Sequence, residues 1–208
     1  MNLNREEQNK ISKERILAAS LQEFGEKDYS SASINNICKS HSISKGLLFH
    51  YYKNKDEIFL LCVENLFVDL SNYLKENFEL KHVNMEENFR DYIQKRFEFF
   101  HQYPYYEQIF YTATCNPPKH LIYEISVLRK PIDETNKKFW CEIISHLNLK
   151  QDVIIEDVIE TIIGLGNYLH MKIQHNNVQY MDGTCWVVER YTKEYVKMIH
   201  MLLYGIVK

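Results

Sequence analysis

The residues best suited to recognition chemistry lie close together in the stretch KGLLFHYYKNK, residues 45–55. If this stretch begins as a helix, Lys45, Gly46, Phe49 and His50 share one of its faces. The lysine and histidine can donate hydrogen bonds to base or phosphate oxygens, and the phenyl ring can pack on a thymine methyl group. Gly46 leaves room for a close approach of backbone to phosphate. This face therefore predicts contact with the major groove of double-stranded DNA.

Three further residues extend the same surface. Tyr51, Lys53 and Lys55 follow the predicted helix and would lie along the sugar-phosphate backbone. Lys55 also begins the next helix, whose first backbone N–H groups favour an anion. We therefore expect Tyr51 and Lys55 to contact phosphates.

Local signals explain how these residues would be positioned. Ser44 is a suitable N-cap, and Ile43 and Leu48 then form the pair of a hydrophobic staple that fixes one face. Ser33 is the N-cap of a preceding short helix, and residues 40–42 form the turn. Two short helices with one anchored face predict a helix-turn-helix. On spacing alone, a small helical hairpin with a solvated basic edge remains the alternative.

The remainder of the chain has helical periodicity with few glycines or prolines. The sequence predicts an all-α protein of about nine helices, with a three-helix helix-turn-helix domain over 1–54 and a larger helical domain over 55–208. The predicted helices are 8–26, a short one after Ser33, another from Ser44, 55–78, 85–102, 105–115, 119–147 interrupted at Pro131, 152–175 and 184–204.

Charge is distributed unevenly along the chain. The whole chain of 208 residues has a formal net charge of −3, but residues 1–55 hold nine Lys and Arg against six Asp and Glu. A basic N-terminal part on an acidic remainder is typical of a protein that meets a polyanion at one end. With no apolar leader and no apolar run long enough for a membrane span, we expect a cytoplasmic protein, nucleoid-associated when it binds DNA, with no membrane partner.

Other classes of function have weaker signals. The sequence lacks the HExxH, P-loop and GxSxG patterns, so we expect no enzymatic activity, no catalytic residues, no metal site and no cofactor. The five cysteines form no CxxC pair, which argues against a zinc ribbon or a disulfide framework. Two alternatives remain open: a redox sensor using Cys115, Cys141 or Cys185, and a DNA-bound protein of chromosome organisation that needs no inducer.

Residues 15–59, RILAASLQEFGEKDYSSASINNICKSHSISKGLLFHYYKNKDEIF, closely resemble the DNA-binding domain of the TetR/AcrR family of bacterial transcriptional regulators. The resemblance is densest over SKGLLFHYYKNKDEIF. It implies an Ω-shaped homodimer of nine or ten helices per subunit, whose divergent C-terminal domain binds an inducer and dimerises. The implied function is a ligand-responsive regulator, most often a repressor, that binds a palindromic operator.

The resemblance also assigns roles to individual residues. It places Ser33 and Asn35 among the DNA contacts of the second helix and Tyr51 and Lys55 among the phosphate contacts. The matched recognition-helix positions are Lys45, Gly46, Leu47, Phe49 and His50. The sequence departs from the family pattern at Ser42, where glycine is frequent, and at Leu47, where a small hydroxyl residue is frequent.

Aromatic residues are concentrated between residues 92 and 123. Most aromatic side chains at helical spacing belong to the core, but as a group they can also wall an apolar ligand cavity. The composition favours a planar or hydrophobic inducer over a sugar phosphate. The predicted ligand-binding residues are Phe97, Phe100, Tyr103, Phe110, Tyr111, Tyr123 and His170.

The last two predicted helices carry the apolar residues expected at a subunit interface, because in this family they form a four-helix interface between subunits. The predicted interface residues are Ile159, Ile162, Gly164, Gly166, Tyr191, Tyr195 and Ile199. In the implied mechanism an inducer tilts the long fourth helix, and the two recognition helices of the dimer then no longer fit both half-sites.

Overall fold

The computed structural model describes residues 4–80, 85–175 and 184–206. The side chains of 85–86, 170, 173–175, 184–191 and 206 lie outside this description. The described chain is built from α-helices and one short 3-10 turn, Lys119–Leu121, which confirms the predicted all-α class. In chain order the helices are α1 (Arg5–Glu26), α2 (Ile34–Ser40), α3 (Lys45–Tyr51), α4 (Lys55–Asn77), α5 (Met85–Gln102), α6 (Tyr105–Cys115), α7 (Ile122–Leu128), α8 (Lys130–Ser145), α9 (Ile155–His175) and α10 (Thr184–Ile206).

The described residues form ten α-helices, against about nine predicted, because the segment after Pro118 forms two helices, α7 and α8. Pro131 lies in the first turn of α8, where a missing backbone donor costs nothing. Helix α1 begins three residues earlier than predicted. The Asn4 side chain caps α1 by accepting hydrogen bonds from the N–H groups of Glu6 and Glu7. The Glu7 carboxylate in turn accepts a hydrogen bond from the Asn4 N–H.

The chain forms two compact units. The first unit comprises the residues up to Val68 together with Tyr103–Arg129. Its core places Phe24 edge-on to Phe59 and Phe67 edge-on to Phe110, with ring centroids 5.1 and 6.4 Å apart. The predicted division at residue 54 stays a prediction, and the contacts within the chain also group α6 and α7 with the first three helices.

The first unit depends on a close approach of α1 to α6. A Cβ atom added at Gly25 would lie 2.6 Å from the Cα of Tyr105, which is closer than non-bonded carbon atoms approach. Only glycine therefore allows the two backbones to meet at this point. This close approach packs α6 directly against α1, which also contacts α2.

The second unit comprises Asp69–Gln102 and the residues from Lys130 onward. Its centre is a group of aromatic rings from α5 and α8: Phe89 stacks on Trp140 and Tyr92 on Phe139, with centroids 4.7 and 4.4 Å apart. The buried Tyr92 hydroxyl donates to the side-chain oxygen of Asn136. Among the residues that the structure describes, no helix combines the length and apolar character needed to cross a bilayer.

We predict that Gly25→Ala destabilises the protein by about 1–3 kcal/mol, because the added methyl group meets backbone that cannot rotate away. Gly46→Ala is the matched control, since an added Cβ there has no neighbour within 4 Å. Its helix propensity should keep or raise stability. Urea unfolding followed by circular dichroism measures both variants. Equal midpoints for the two would show that the α1–α6 approach is not tight.

Candidate nucleic-acid interface

Helix α3 has one buried side and one exposed side. Ser44 caps it by accepting a hydrogen bond from the Leu47 N–H at 3.1 Å, as predicted. Ile43 and Leu48 are buried, so the two residues of the predicted staple lie on the inner side. The short helix is thereby fixed in rotation about its own axis.

The outer side of α3 carries the predicted recognition residues. Lys45, Gly46 and His50 are exposed, and Phe49 keeps 47% of its surface in solvent. Leu47 is half-buried at the edge of this face. Within the described part of the chain, Lys45 forms no hydrogen bond or ion pair. A cation and a large apolar ring left in solvent on one helical face form a surface suited to a polyanionic partner with apolar groups.

Ser33 precedes the first residue of α2, and its hydroxyl oxygen accepts from the Asn35 N–H at 3.2 Å. This hydroxyl is therefore the N-cap of α2, and the DNA contact predicted for Ser33 stays a prediction. The Asn35 side chain is exposed beside it.

The turn between α2 and α3 is a Schellman-type termination. The Ile43 N–H donates to the Cys38 carbonyl at 2.8 Å and the Ser42 N–H to the Lys39 carbonyl at 3.4 Å. This geometry places Ser42 in the left-handed region, with φ of 51°. Glycine adopts that conformation without steric cost, which explains in physical terms why it is frequent at this position. The Arg15 guanidinium supports the turn by donating to the carbonyl of His41 at 2.8 Å.

A buried carboxylate attaches α2 to α1. Glu23 of α1 accepts from the backbone N–H of Ser33 at 2.8 Å, from the Asn36 amide at 3.1 Å and from the Lys27 ammonium at 2.9 Å. Burial by itself raises the pKa of this carboxyl group, but the bonds from Lys27, Ser33 and Asn36 outweigh burial and hold the pKa below its usual value. The charged form is thus the one that the fold stabilises.

Tyr51, at the end of α3, is tied to the first turns of α1. Its hydroxyl donates to the Asn9 side-chain oxygen at 2.7 Å, and the Lys13 ammonium lies 5.8 Å from its ring centroid. Sequence reasoning missed Asn9 and Lys13, although both lie within the predicted helix 8–26, because no local pattern relates them to Tyr51, which is 42 residues from Asn9. The capping box at Asn4 and Glu7 was the available signal that α1 begins at Arg5 rather than at residue 8.

Lys55 has an internal position. Its ammonium donates to the carbonyl of Tyr29 at 2.8 Å and lies 3.3 Å from that of Ala32, and it stands 4.4 Å from the Tyr29 ring centroid. The hydroxyl of Tyr29 donates in turn to Asp56 in the first turn of α4. These contacts join the loop before α2 to α4. The predicted phosphate contact of Lys55 stays a prediction, and any phosphate would compete with these carbonyl groups.

The residues predicted for ligand binding do not share one environment. Phe100 and Phe110 are buried, Phe97 and Tyr111 are half-buried, and Tyr103 and Tyr123 are exposed. The side chain of His170 lies outside the described residues. Phe97 and Phe100 belong to the second unit, whereas the four other described residues belong to the first. The seven residues thus stay a prediction as a set.

Four residues predicted for the subunit interface are buried within the single chain, and their role at an interface stays a prediction. Ile159, Ile162, Tyr195 and Ile199 are buried, and the Tyr195 hydroxyl donates to the Ile162 carbonyl at 2.9 Å. The hydrogen bond from Tyr195 joins α10 to α9, and the two helices are in contact.

Gly166 belongs to the same packing, since an added Cβ would lie 3.5 Å from the Tyr195 hydroxyl. Gly164 differs: it is exposed, with no neighbour within 4 Å of an added Cβ. The side chain of Tyr191 lies outside the described residues. Of the predicted interface residues whose side chains are described, Gly164 is exposed and Gly166 is half-buried.

The cysteine environments weigh against redox sensing. Burial raises the pKa of Cys62, which is fully buried, and that of the half-buried Cys115. A raised pKa keeps the thiol protonated and slow to react. Cys141 is half-buried, and the side chain of Cys185 lies outside the described residues. In the described part of the chain, no three His, Cys, Asp or Glu residues are grouped to hold a metal ion.

The N-terminal region of the chain is similar to known bacterial regulatory proteins. Residues 16–62 match the family model described as "Bacterial regulatory proteins, tetR family". The negative transcriptional regulator IcaR of the biofilm operon icaADBC of Staphylococcus epidermidis is 35% identical over 65 residues. That match spans 31% of this chain and 35% of IcaR, about a third of either protein.

Solved structures extend the similarity along the whole chain. FadR of Bacillus subtilis, solved in complex with stearoyl-CoA, superposes with a TM-score of 0.71 at 15% identity over 89% of this chain and 96% of its own. A TetR family regulator from Chloroflexus aurantiacus gives 0.63 at 19% identity over 100% and 96%. At these identities the comparison shows a shared fold: an N-terminal helix-turn-helix domain followed by a helical domain.

We predict that Glu23→Gln destabilises the protein by about 1–3 kcal/mol at neutral pH, because three donors lose a charged acceptor. The pKa of Glu23 is lowered in the fold, so its contribution is present above the usual value of 4.5 and is lost as the pH falls through the folded-state value. The stability difference between wild type and variant should shrink on acidification. Chemical unfolding at pH 7, 5 and 3 measures it.

Glu26→Gln is the matched control, because Glu26 lies on the same helix, is exposed and accepts only from Gln22. Its effect should remain below about 0.5 kcal/mol. A Glu23→Gln penalty that stays constant down to pH 3 would contradict the role of the charge.

Proposed function

We propose that this chain is a transcriptional regulator of the TetR family that binds double-stranded operator DNA through α2 and α3, and the match of residues 16–62 to the family model supports the proposal. One observation carries this proposal. Leu48 is buried on the inner face of α3, and Lys45, Phe49 and His50 are exposed on its outer face. The major groove admits a helix of this kind and presents hydrogen-bonding groups and thymine methyls to it.

We propose repression as the mode of action. The similarity to IcaR, a negative transcriptional regulator, supports it, and that similarity lies in the DNA-binding region. A repressor of this type acts by occupying its operator, so affinity for DNA in the free state is the property on which function depends.

The proposed regulator is a homodimer that binds a palindrome. Two copies of α3 related by a twofold axis read two inverted half-sites when they lie about one helical turn of DNA apart, 34–36 Å. Selection of duplexes from a random pool by the purified protein tests this directly. Enrichment of an inverted repeat supports the dimeric reader, and enrichment of sequences without a repeat contradicts it.

The proposed regulator responds to a hydrophobic or aromatic small molecule. The shared fold with FadR, solved with stearoyl-CoA, supports a ligand with a large apolar part, and so do the aromatic side chains of α5, α6 and α7. Release from the operator by a hundredfold loss of affinity requires a coupling of about 3 kcal/mol between the two sites. By reciprocity, operator DNA weakens binding of the same molecule by the same factor.

We predict that Lys45→Ala weakens binding to a selected duplex and reduces the slope of log K against log salt by about one, because one phosphate-neutralising cation is lost. Lys55→Ala should weaken binding through a less stable α2 loop and leave the slope unchanged, since its ammonium bonds carbonyl groups of the protein. Fluorescence anisotropy at several salt concentrations measures both slopes. A slope reduced by about one in Lys55→Ala would instead confirm the phosphate contact predicted from the sequence.

We predict that Gly164→Leu weakens the dimer about tenfold or more without unfolding the chain. Among the described residues none lies within 4 Å of an added Cβ at this position, so we expect the larger side chain to meet a second subunit. The exposed apolar residues of the same helices, Tyr168, Met201 and Tyr204, define the rest of the proposed interface. Sedimentation equilibrium measures the change, with Lys138→Leu on the exposed side of α8 as control. An unchanged dimer would remove this face of α9 from the interface.

A further inference from the structure

The first unit contains a groove that the proposed function does not use. It has a volume of about 600 Å³, is open to solvent and lies between α7 and the junction of α3 with α4. This volume is within the range of small-molecule sites in proteins. Every residue that lines the groove belongs to the first unit.

The walls of the groove are apolar and aromatic. Leu60, Leu61 and Leu128 are half-buried along it, and Tyr52 closes the end next to α3. On the α7 side Tyr123 is 77% exposed, which is unusual for a ring of this size. Apolar surface of this kind gains free energy when a ligand covers it.

The charged residues that line the groove are all acidic. Glu64 of α4 and Glu124 of α7 are exposed and have no hydrogen-bond or ion-pair partner among the described residues. Glu57 also lines the groove, but its carboxylate accepts from the Lys53 backbone N–H at 2.8 Å and pairs with the Lys53 ammonium at 3.9 Å. The lining includes no lysine, arginine or histidine. The two uncompensated carboxylates create a negative potential over an aromatic surface.

We propose that this groove binds a lipophilic cation, a molecule with an apolar aromatic body and one delocalised positive charge. Tyrosine rings attract a cation through their faces, and the two carboxylates attract it from opposite walls. A delocalised charge costs less to desolvate than a compact ammonium. An anion of equal size meets the same apolar walls but is repelled by the rim, so charge decides the preference.

The position of the groove gives the ligand a direct consequence. Tyr51 is the last residue of α3 and Tyr52 its C-cap, and both line the groove. A molecule bound there touches the end of the helix that carries Lys45 and Phe49. This consequence rests on the proposed DNA-reading role of α3, whereas binding in the groove does not.

Tetraphenylphosphonium and tetraphenylborate test the proposal on the free full-length protein, because they have nearly the same size and shape and opposite charge. Isothermal titration calorimetry should give at least about tenfold tighter binding of the phosphonium, a difference of about 1.4 kcal/mol. The measurement needs no DNA, so its failure is distinct from a failure of DNA binding. Equal affinities, a preference for the borate or no binding of the phosphonium would overturn the proposal.

Two variants place the binding in the groove. The double variant Glu64→Gln and Glu124→Gln should weaken phosphonium binding about threefold to tenfold, since each exposed ion pair contributes modestly. Val127→Trp fills the groove from the 40%-exposed Val127 and should abolish it, with circular dichroism confirming the fold. The double variant Glu134→Gln and Glu142→Gln, at two exposed positions of α8, is the charge-matched control and should have no effect. Phosphonium binding that Val127→Trp leaves intact would overturn the assignment.

Discussion

The candidate DNA-binding surface depends on one buried carboxylate. Glu23 joins the end of α1 to the start of α2 through the Ser33 N–H and the Asn36 amide, and Lys27 balances its charge. A buried carboxylate costs several kcal/mol in desolvation unless its acceptor sites are filled. Ser33 and Asn36 reach those acceptor sites when Ser33 is the N-cap of α2 and α2 packs against α1. The free-energy cost of leaving an acceptor site of the Glu23 carboxylate unfilled therefore favours one orientation of α2. The short turn after α2 then limits where α3 can lie.

The contacts that support the two short helices leave the outer face of α3 exposed. Arg15 holds the turn from the α1 side, Lys55 holds the loop before α2, and Asn9 holds the end of α3 through Tyr51. These supports come from α1 and α4, which lie in the chain before and after the two short helices. None of them uses Lys45 or the other residues of the outer face. Rigid support from behind with an unoccupied front is what a surface for another macromolecule requires.

The predictable parts of this structure are those encoded over a few residues. Ser33 and Ser44 cap helices because a hydroxyl reaches an N–H two or three residues on, and these caps were predicted correctly. The hydrogen bond from Tyr51 to Asn9 joins residues 42 apart, and no local pattern encodes it. Helical spacing also left open which aromatic residues face inward. Phe110 is buried and Tyr123 exposed because the neighbours of α6 and α7 in space, which the pattern does not specify, decide their burial.

The burial of Cys62 gives this protein a built-in reporter. Its thiol is fully enclosed in the first unit, next to Val63 and Phe59 in α4, and burial keeps it protonated at neutral pH. An alkylating reagent can reach it only when this core opens, so its labelling rate measures the free energy of that opening. Cys115 is half-buried in α6 and is accessible to smaller fluctuations. The labelling rates of Cys115 and Cys62 thus distinguish local fluctuations from opening of the core of the first unit. No substitution is needed for the measurement.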